Sequence, residues 1–123
     1  MTAPRRSPHA YIEDILGFCV RIQTYTDGMS FEQFVQNSMV QDAVVRNIEL
    51  LGEASQQLSQ ALPDAAARFP RIPFREMYLT RNRLIHGYTS VRLSAVWQVI
   101  EDEIPLVREG VEHALANWPA DLT

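Results

Sequence analysis

Val40, Val44, Leu51, Ala54, Leu58 and Ala61 recur at three-, four- and seven-residue steps. That spacing puts every one of them on a single side of a helix and leaves the other side polar. Such a seam must be buried against other helices, because a strand would scatter the same residues over both faces. Two further stripes have the same period: Ile12, Ile15, Leu16, Cys19 and Ile22, and, further on, Ala95, Val96, Val99, Ile100, Leu106, Val107, Val111 and Leu115. No stretch shows sustained period-two alternation, and no hairpin dipeptide separates apolar runs. The expected fold is all-α, an up-and-down helical bundle with four main helices and one or two short ones.

Stop and start signals set the bounds. Residues 1–6 are polar and are expected to be disordered. Ser7-Pro8 reads as N-cap and first helical residue of a helix running to about Tyr25, ended by Asp27-Gly28. Ser30 with Gln33 forms a capping box for a short helix anchored by Phe31 and Phe34. Ser38 and Gln41 repeat that pattern ahead of a long helix to about Gln60. Asn47 falls on its seam and needs partners, either the backbone of a neighbouring helix or a polar cavity, since a bare buried amide costs about 1–3 kcal/mol. Arg46, Glu49 and Glu53 beside it suit ion pairing within the helix. After Pro63 the chain has room for one or two turns before Pro70. Pro73 opens a helix with Met77, Tyr78, Leu84 and Ile85 on its inner face. Thr89 to Arg92 is a loop, and a last helix runs from Leu93 to about Asn117. Pro105 inside it removes one backbone bond, so a kink is expected there and not two helices.

The 123 residues suffice for one domain with a real core. Cys19 is the single cysteine, which forbids an internal disulfide, argues against a structural zinc site and suits the cytoplasm. The apolar runs are too short for a membrane span. Nothing marks a metal, a cofactor or a Gly-rich phosphate loop.

The net charge of −4 hides a division. Residues 68–92 carry six arginines, Arg68, Arg71, Arg75, Arg81, Arg83 and Arg92, against Glu76 alone. The flanking segments are both acidic. Phosphate contact is local, so a basic segment matters more than the overall sign. The chain has no lysine, and every fixed cation is a guanidinium that can grip phosphate with two donors, although arginine-favouring codons would give the same composition.

At the heart of the basic segment lies Arg81-Asn82-Arg83-Leu84-Ile85-His86-Gly87-Tyr88. Gly87 is a helix stop, which places His86 in a last helical turn and Tyr88 just past it. At about 100° per residue, Arg81 and His86 lie roughly 140° apart around the axis. They could flank a groove or meet their own copies across a two-fold axis. A histidine at this position is also a simple C-cap.

Arg, four residues, His, one residue, Tyr: this order resembles the signature of the HEPN superfamily, in particular the HepT-like toxin ribonucleases. Tyr25 to Phe31, Gln41 to Asn47, Gly52-Glu53-Ala54, Ile72 to Arg75 and Glu103-Ile104-Pro105 are similar to the same family in the same order, over about residues 10 to 115. The resemblance implies a homodimer with the motif at the subunit interface, and metal-independent RNA cleavage in the cytoplasm. In that chemistry the 2′-OH attacks the adjacent phosphate. A base takes its proton, an acid protonates the leaving oxygen, and positive charge holds the non-bridging oxygens. His86 fits the acid–base work and Arg81 the phosphate. Asn82, four residues before His86, fits support of either, while Arg75 and Arg83 fit RNA binding. The resemblance also implies a type VII toxin–antitoxin pair, in which a cognate minimal nucleotidyltransferase attaches AMP to Tyr88 and blocks the groove. Unmodified, Tyr88 could stack on a base. The alternative is a non-catalytic helical bundle that binds a partner protein or a nucleotide.

Overall fold

A computed structural model describes residues 6–87 and 92–122, the side chains of residues 85–87 excepted. The helices are α1 Pro8–Tyr25, α2 Phe31–Val35, α3 Ser38–Ala61, α4 Ala65–Arg68, α5 Phe74–Gly87, α6 Leu93–Gln98 and α7 Ile104–Ala116. A π turn, Val99–Glu103, joins the last two, and a 3₁₀ turn, Ala120–Leu122, follows. There is no strand among the described residues. The expected all-α bundle is the observed one. Its four long members are α1, α3, α5 and the composite of α6, the π turn and α7. The expected disorder of the first residues and most of the loop from Thr89 to Arg92 lie outside the described set.

Local capping chemistry sets most of the boundaries. Ser7 accepts from the Ala10 amide, and Pro8 takes the first turn of α1, where no donor is needed. The Ser30–Gln33 box is complete: the Ser30 hydroxyl accepts from the Gln33 amide, and the Gln33 side chain accepts from the Ser30 amide. Gly28 turns the chain between α1 and α2 at φ 70°, where any other residue would be strained. At α3 the expected box does not form. Asn37 is the N-cap, accepting from the Val40 amide, and Gln41 donates to the carbonyls of Phe34 and Val35 at 2.9 and 3.1 Å. With α2 ending just upstream, its last carbonyls lack helical partners and compete for the Gln41 amide.

The core is built from α1, α3 and α7, with α5 laid on α3. Ile12, Ile15, Cys19 and Ile22 meet Val44, Ile48, Leu51 and Leu58 and, from the far side, Ile104, Val107 and Val111. Burial pushes the Cys19 thiol up to about 12, so this cysteine is a packing residue. Pro105 is absorbed without a break. The Ile104 amide reaches back five residues to the Val99 carbonyl, and Gln98, Val99 and Ile104 all keep helical dihedrals. The wider turn accommodates a ring that would clash in a regular helix. Leu106, expected on the apolar side, is exposed. The buried stripe here is Ile100, Ile104, Val107 and Val111, and Leu106 stands about 200° from Ile104. No helix among the described residues is long and apolar enough to cross a membrane.

Candidate active site

Helix α5 carries the octet from Arg81 to Gly87, and two contacts on different sides hold the helix in place. The inward stripe is Met77, Thr80 and Leu84, all buried. Tyr78, expected inside, is 52% exposed, because a residue beside Met77 sits about 100° around the helix. Thr80 takes the inner position instead, and its hydroxyl donates to a Glu103 carboxylate oxygen at 2.8 Å. That bond ties α5 to the π turn.

The second contact is made by Arg81. Its aliphatic stem lies across Gly52 of α3, so close that a Cβ on Gly52 would stand 2.6 Å from the Arg81 Cβ and 2.7 Å from its Cδ. A bare glycine is therefore what allows the arginine to cross there. Arg81 is half-buried, as is Asn82, while Arg75 and Arg83 are exposed. Arg75 and Arg81 have no hydrogen-bond or ion-pair partner among the described residues. Other arginines are spoken for: Arg68 holds Asp64 and Asp121, Arg108 holds Glu112, and Arg46 holds Glu49 at 3.6 Å. Among the described residues, the cations without a hydrogen-bond or ion-pair partner thus include Arg75 and Arg81 on the octet helix and Arg92 at the start of α6. The His86 backbone lies in the last turn of α5; the His86 side chain and Tyr88 lie outside the described residues.

Two buried carboxyl or amide oxygens lack a partner among the described residues. One is Asn47 Oδ1. The Asn47 Nδ2 donates to the Ala43 carbonyl of its own helix at 2.8 Å, so neither the neighbouring backbone nor a second group satisfies its oxygen. The other is Glu103 Oε2. Burial pushes the Glu103 carboxyl up from its ordinary value. The Thr80 hydrogen bond opposes that shift, the Glu76 charge adds to it and Arg83 counters it. Sequence reasoning assigned Glu103 no role, since its burial depends on Thr80, far away in the chain.

A consequence for stability follows. A carboxyl with a raised folded-state value makes its full contribution to folding below the unfolded value, where both states are protonated, and loses it as pH rises through the folded value. At neutral pH Glu103 is therefore a net liability. Glu103→Gln keeps an acceptor for Thr80 and should be more stable than the parent at pH 7, the gap closing as pH falls through the carboxyl's folded value. Urea melts across that range would check it; a gap that widens toward acid would contradict this account.

The ribonuclease HepT-like family model matches residues 15–114. The chain belongs to this family. A Thermococcus cleftensis protein named "Probable ribonuclease HepT" is 35% identical over 104 residues, covering 85% of this chain and 92% of that one. A Methanocaldococcus jannaschii protein whose name marks it as a candidate RNase is 34% identical over 114 residues, covering 93% and 96%. A similarly named protein of Caldanaerobacter subterraneus is 32% identical over 110 residues, covering 89% and 96%. No solved structure matches. The resemblance carried by the octet and its accompanying segments thus identifies the family, and the matched span includes Asn47, Gly52, the whole of α5 and Glu103.

Proposed function

We propose that the chain is a HepT-like toxin acting as a metal-independent endoribonuclease, with Arg81 and His86 as its catalytic residues. The observation that carries this is the placement of Arg81: its stem pinned on Gly52, its guanidinium without a partner among the described residues, on the helix whose last turn bears His86. A fixed guanidinium without an acid partner is a phosphate clamp whose charge is not already spent. In the reaction the 2′-oxygen bonds to phosphorus, and its proton passes to a base. The bond from phosphorus to the 5′-oxygen breaks, and that oxygen takes a proton. The products are a cyclic phosphate and a 5′-OH end.

One imidazole cannot be base and acid at the same moment. A homodimer that brings two His86 and two Arg81 to one cleft supplies both, with Asn82 orienting the imidazole or the phosphate and Arg75 and Arg83 steering RNA. Digestion of total RNA by the purified chain in the presence of chelator tests the reading: ends in cyclic phosphate are expected. An RNA gel shift without cleavage would instead favour the non-catalytic bundle that binds a partner protein or nucleotide.

Tyr88 is the regulatory residue in this reading. A cognate minimal nucleotidyltransferase would direct its phenol oxygen onto the α-phosphorus of ATP, expelling pyrophosphate and leaving AMP on the tyrosine. The added phosphate charge beside the cleft repels RNA. Tyr88→Phe should cleave RNA at the parent rate yet escape neutralisation on co-expression with the transferase, and intact mass should lack the adenylate increments. Increments that persist in this variant would place the modification elsewhere.

A further inference from the structure

Beside the point where Arg81 crosses α3, a groove of about 330 Å³ runs between α3 and α5. Gly52, Ser55 and Ser59 form one wall, and Phe74, Arg75 and Tyr78 the other. No acidic residue is among the described residues that line it. Other concavities differ. The groove of about 620 Å³ between the end of α1 and the π turn contains Asp27 and Glu101, and its Arg108 is held by Gln23 and Glu112. The pocket of about 210 Å³ around Arg71 and His113 includes Arg68, which two aspartates already neutralise.

We propose that the α3–α5 groove is a subsite for one nucleotide of single-stranded RNA flanking the cleaved phosphate; the inference rests on the nuclease reading above. Arg75 and Arg81 lie six residues apart on α5, about 9 Å along its axis, a reach that suits neighbouring phosphates of an extended strand. Neither has a hydrogen-bond or ion-pair partner among the described residues, so neither must break a salt bridge there to bind. Tyr78 lies between them in sequence, half exposed, with a ring available to stack on a base. Phe74 extends the apolar floor. Gln56 is on the groove's α3 wall, with an amide able to donate to or accept from a base edge. The Ser59 hydroxyl is bonded to the Ser55 carbonyl at 3.2 Å, so this wall is small and uncharged, and a planar base can approach it. An aromatic and the Arg75 guanidinium in the lining, the Arg81 guanidinium on the same helix, and no acid among the described lining residues are the composition of a single-strand platform, which tolerates any base because stacking does not discriminate strongly.

The test uses the full chain carrying His86→Ala, so that bound RNA stays intact, and a fluorescent single-stranded RNA titrated over a salt series. Arg75→Ala should flatten the plot of log affinity against log salt by about 0.7, one phosphate contact. Tyr78→Ala should weaken binding about tenfold or more, and Tyr78→Trp should restore it. Ser59→Glu, an exposed change on the opposite wall, should weaken binding most at low salt. Circular dichroism and sedimentation confirm that each variant keeps its fold and assembly; where Tyr78→Ala does not, Ser59→Glu and Tyr78→Trp decide. Parent-like slope and affinity in Arg75→Ala, Tyr78→Ala and Ser59→Glu would overturn the subsite while cleavage by the unsubstituted chain leaves the nuclease reading standing. An unsubstituted chain that neither binds nor cuts RNA would overturn both.

Discussion

His86→Ala is expected to lower RNA cleavage by about 10²–10⁴-fold, the range that a positioned acid–base group contributes. The loss should fall on turnover more than on RNA affinity, because the imidazole handles protons while the arginines hold phosphate. Arg81→Ala should be comparably inactive for a different reason, the removal of charge stabilisation as the phosphorane forms. Arg81→Lys should rescue it poorly, since a point charge does not reproduce a two-donor fork. In a cleft that uses both imidazoles, a mixed dimer of parent and His86→Ala subunits should fall well below half of the parent rate, whereas two independent sites would retain half. Steady-state cleavage of a defined RNA in chelator, with circular dichroism as the check on folding, measures all of these. Parent-like turnover in His86→Ala would remove the catalytic assignment, whatever the family.

Local signals were legible wherever the physics is local. Ser7 with Pro8, and Ser30 with Gln33, cap helices through bonds spanning three residues, so the sequence alone contains both partners. Ser38 with Gln41 has the same spelling and a different outcome, because Asn37 and the unsatisfied carbonyls ending α2 were better placed to bind. Thr80 took the inward place expected of Tyr78, and the bond that holds it there is non-local. An apolar residue looks buried until another helix supplies a carboxylate that makes a threonine the better inward neighbour. Pro105 announced a distortion but not its form, which depends on whether the chain loses a bond or inserts a wider turn. The octet was readable as chemistry because the other family-like segments stand in order around it; arginine and histidine at a loose spacing are common by themselves. What it could not convey is the surface that Arg81 leans on.

That surface is Gly52, and it gives the sharpest structural expectation. Gly52→Ala places a methyl within 2.6 Å of the Arg81 Cβ, an atom fixed to the α5 backbone and unable to swing aside. Relief requires α5 to move off α3, an overpacking strain of about 1–3 kcal/mol. The same shift moves the Arg81 guanidinium, and a displacement on the order of 1 Å in a positioning group can cost about 10²-fold in rate. Gly17→Ala is the matched control. Gly17 is likewise a helical glycine, but a Cβ there meets nothing within 4 Å. Alanine at that position should stabilise α1 by about 0.5–1 kcal/mol through helix propensity alone and leave cleavage unchanged. Denaturant midpoints for the pair would therefore move in opposite senses, and cleavage would fall in Gly52→Ala alone. If Gly52→Ala proved as benign as Gly17→Ala, Arg81 would not be pressed against α3, and the support claimed for the catalytic guanidinium would be lost with it.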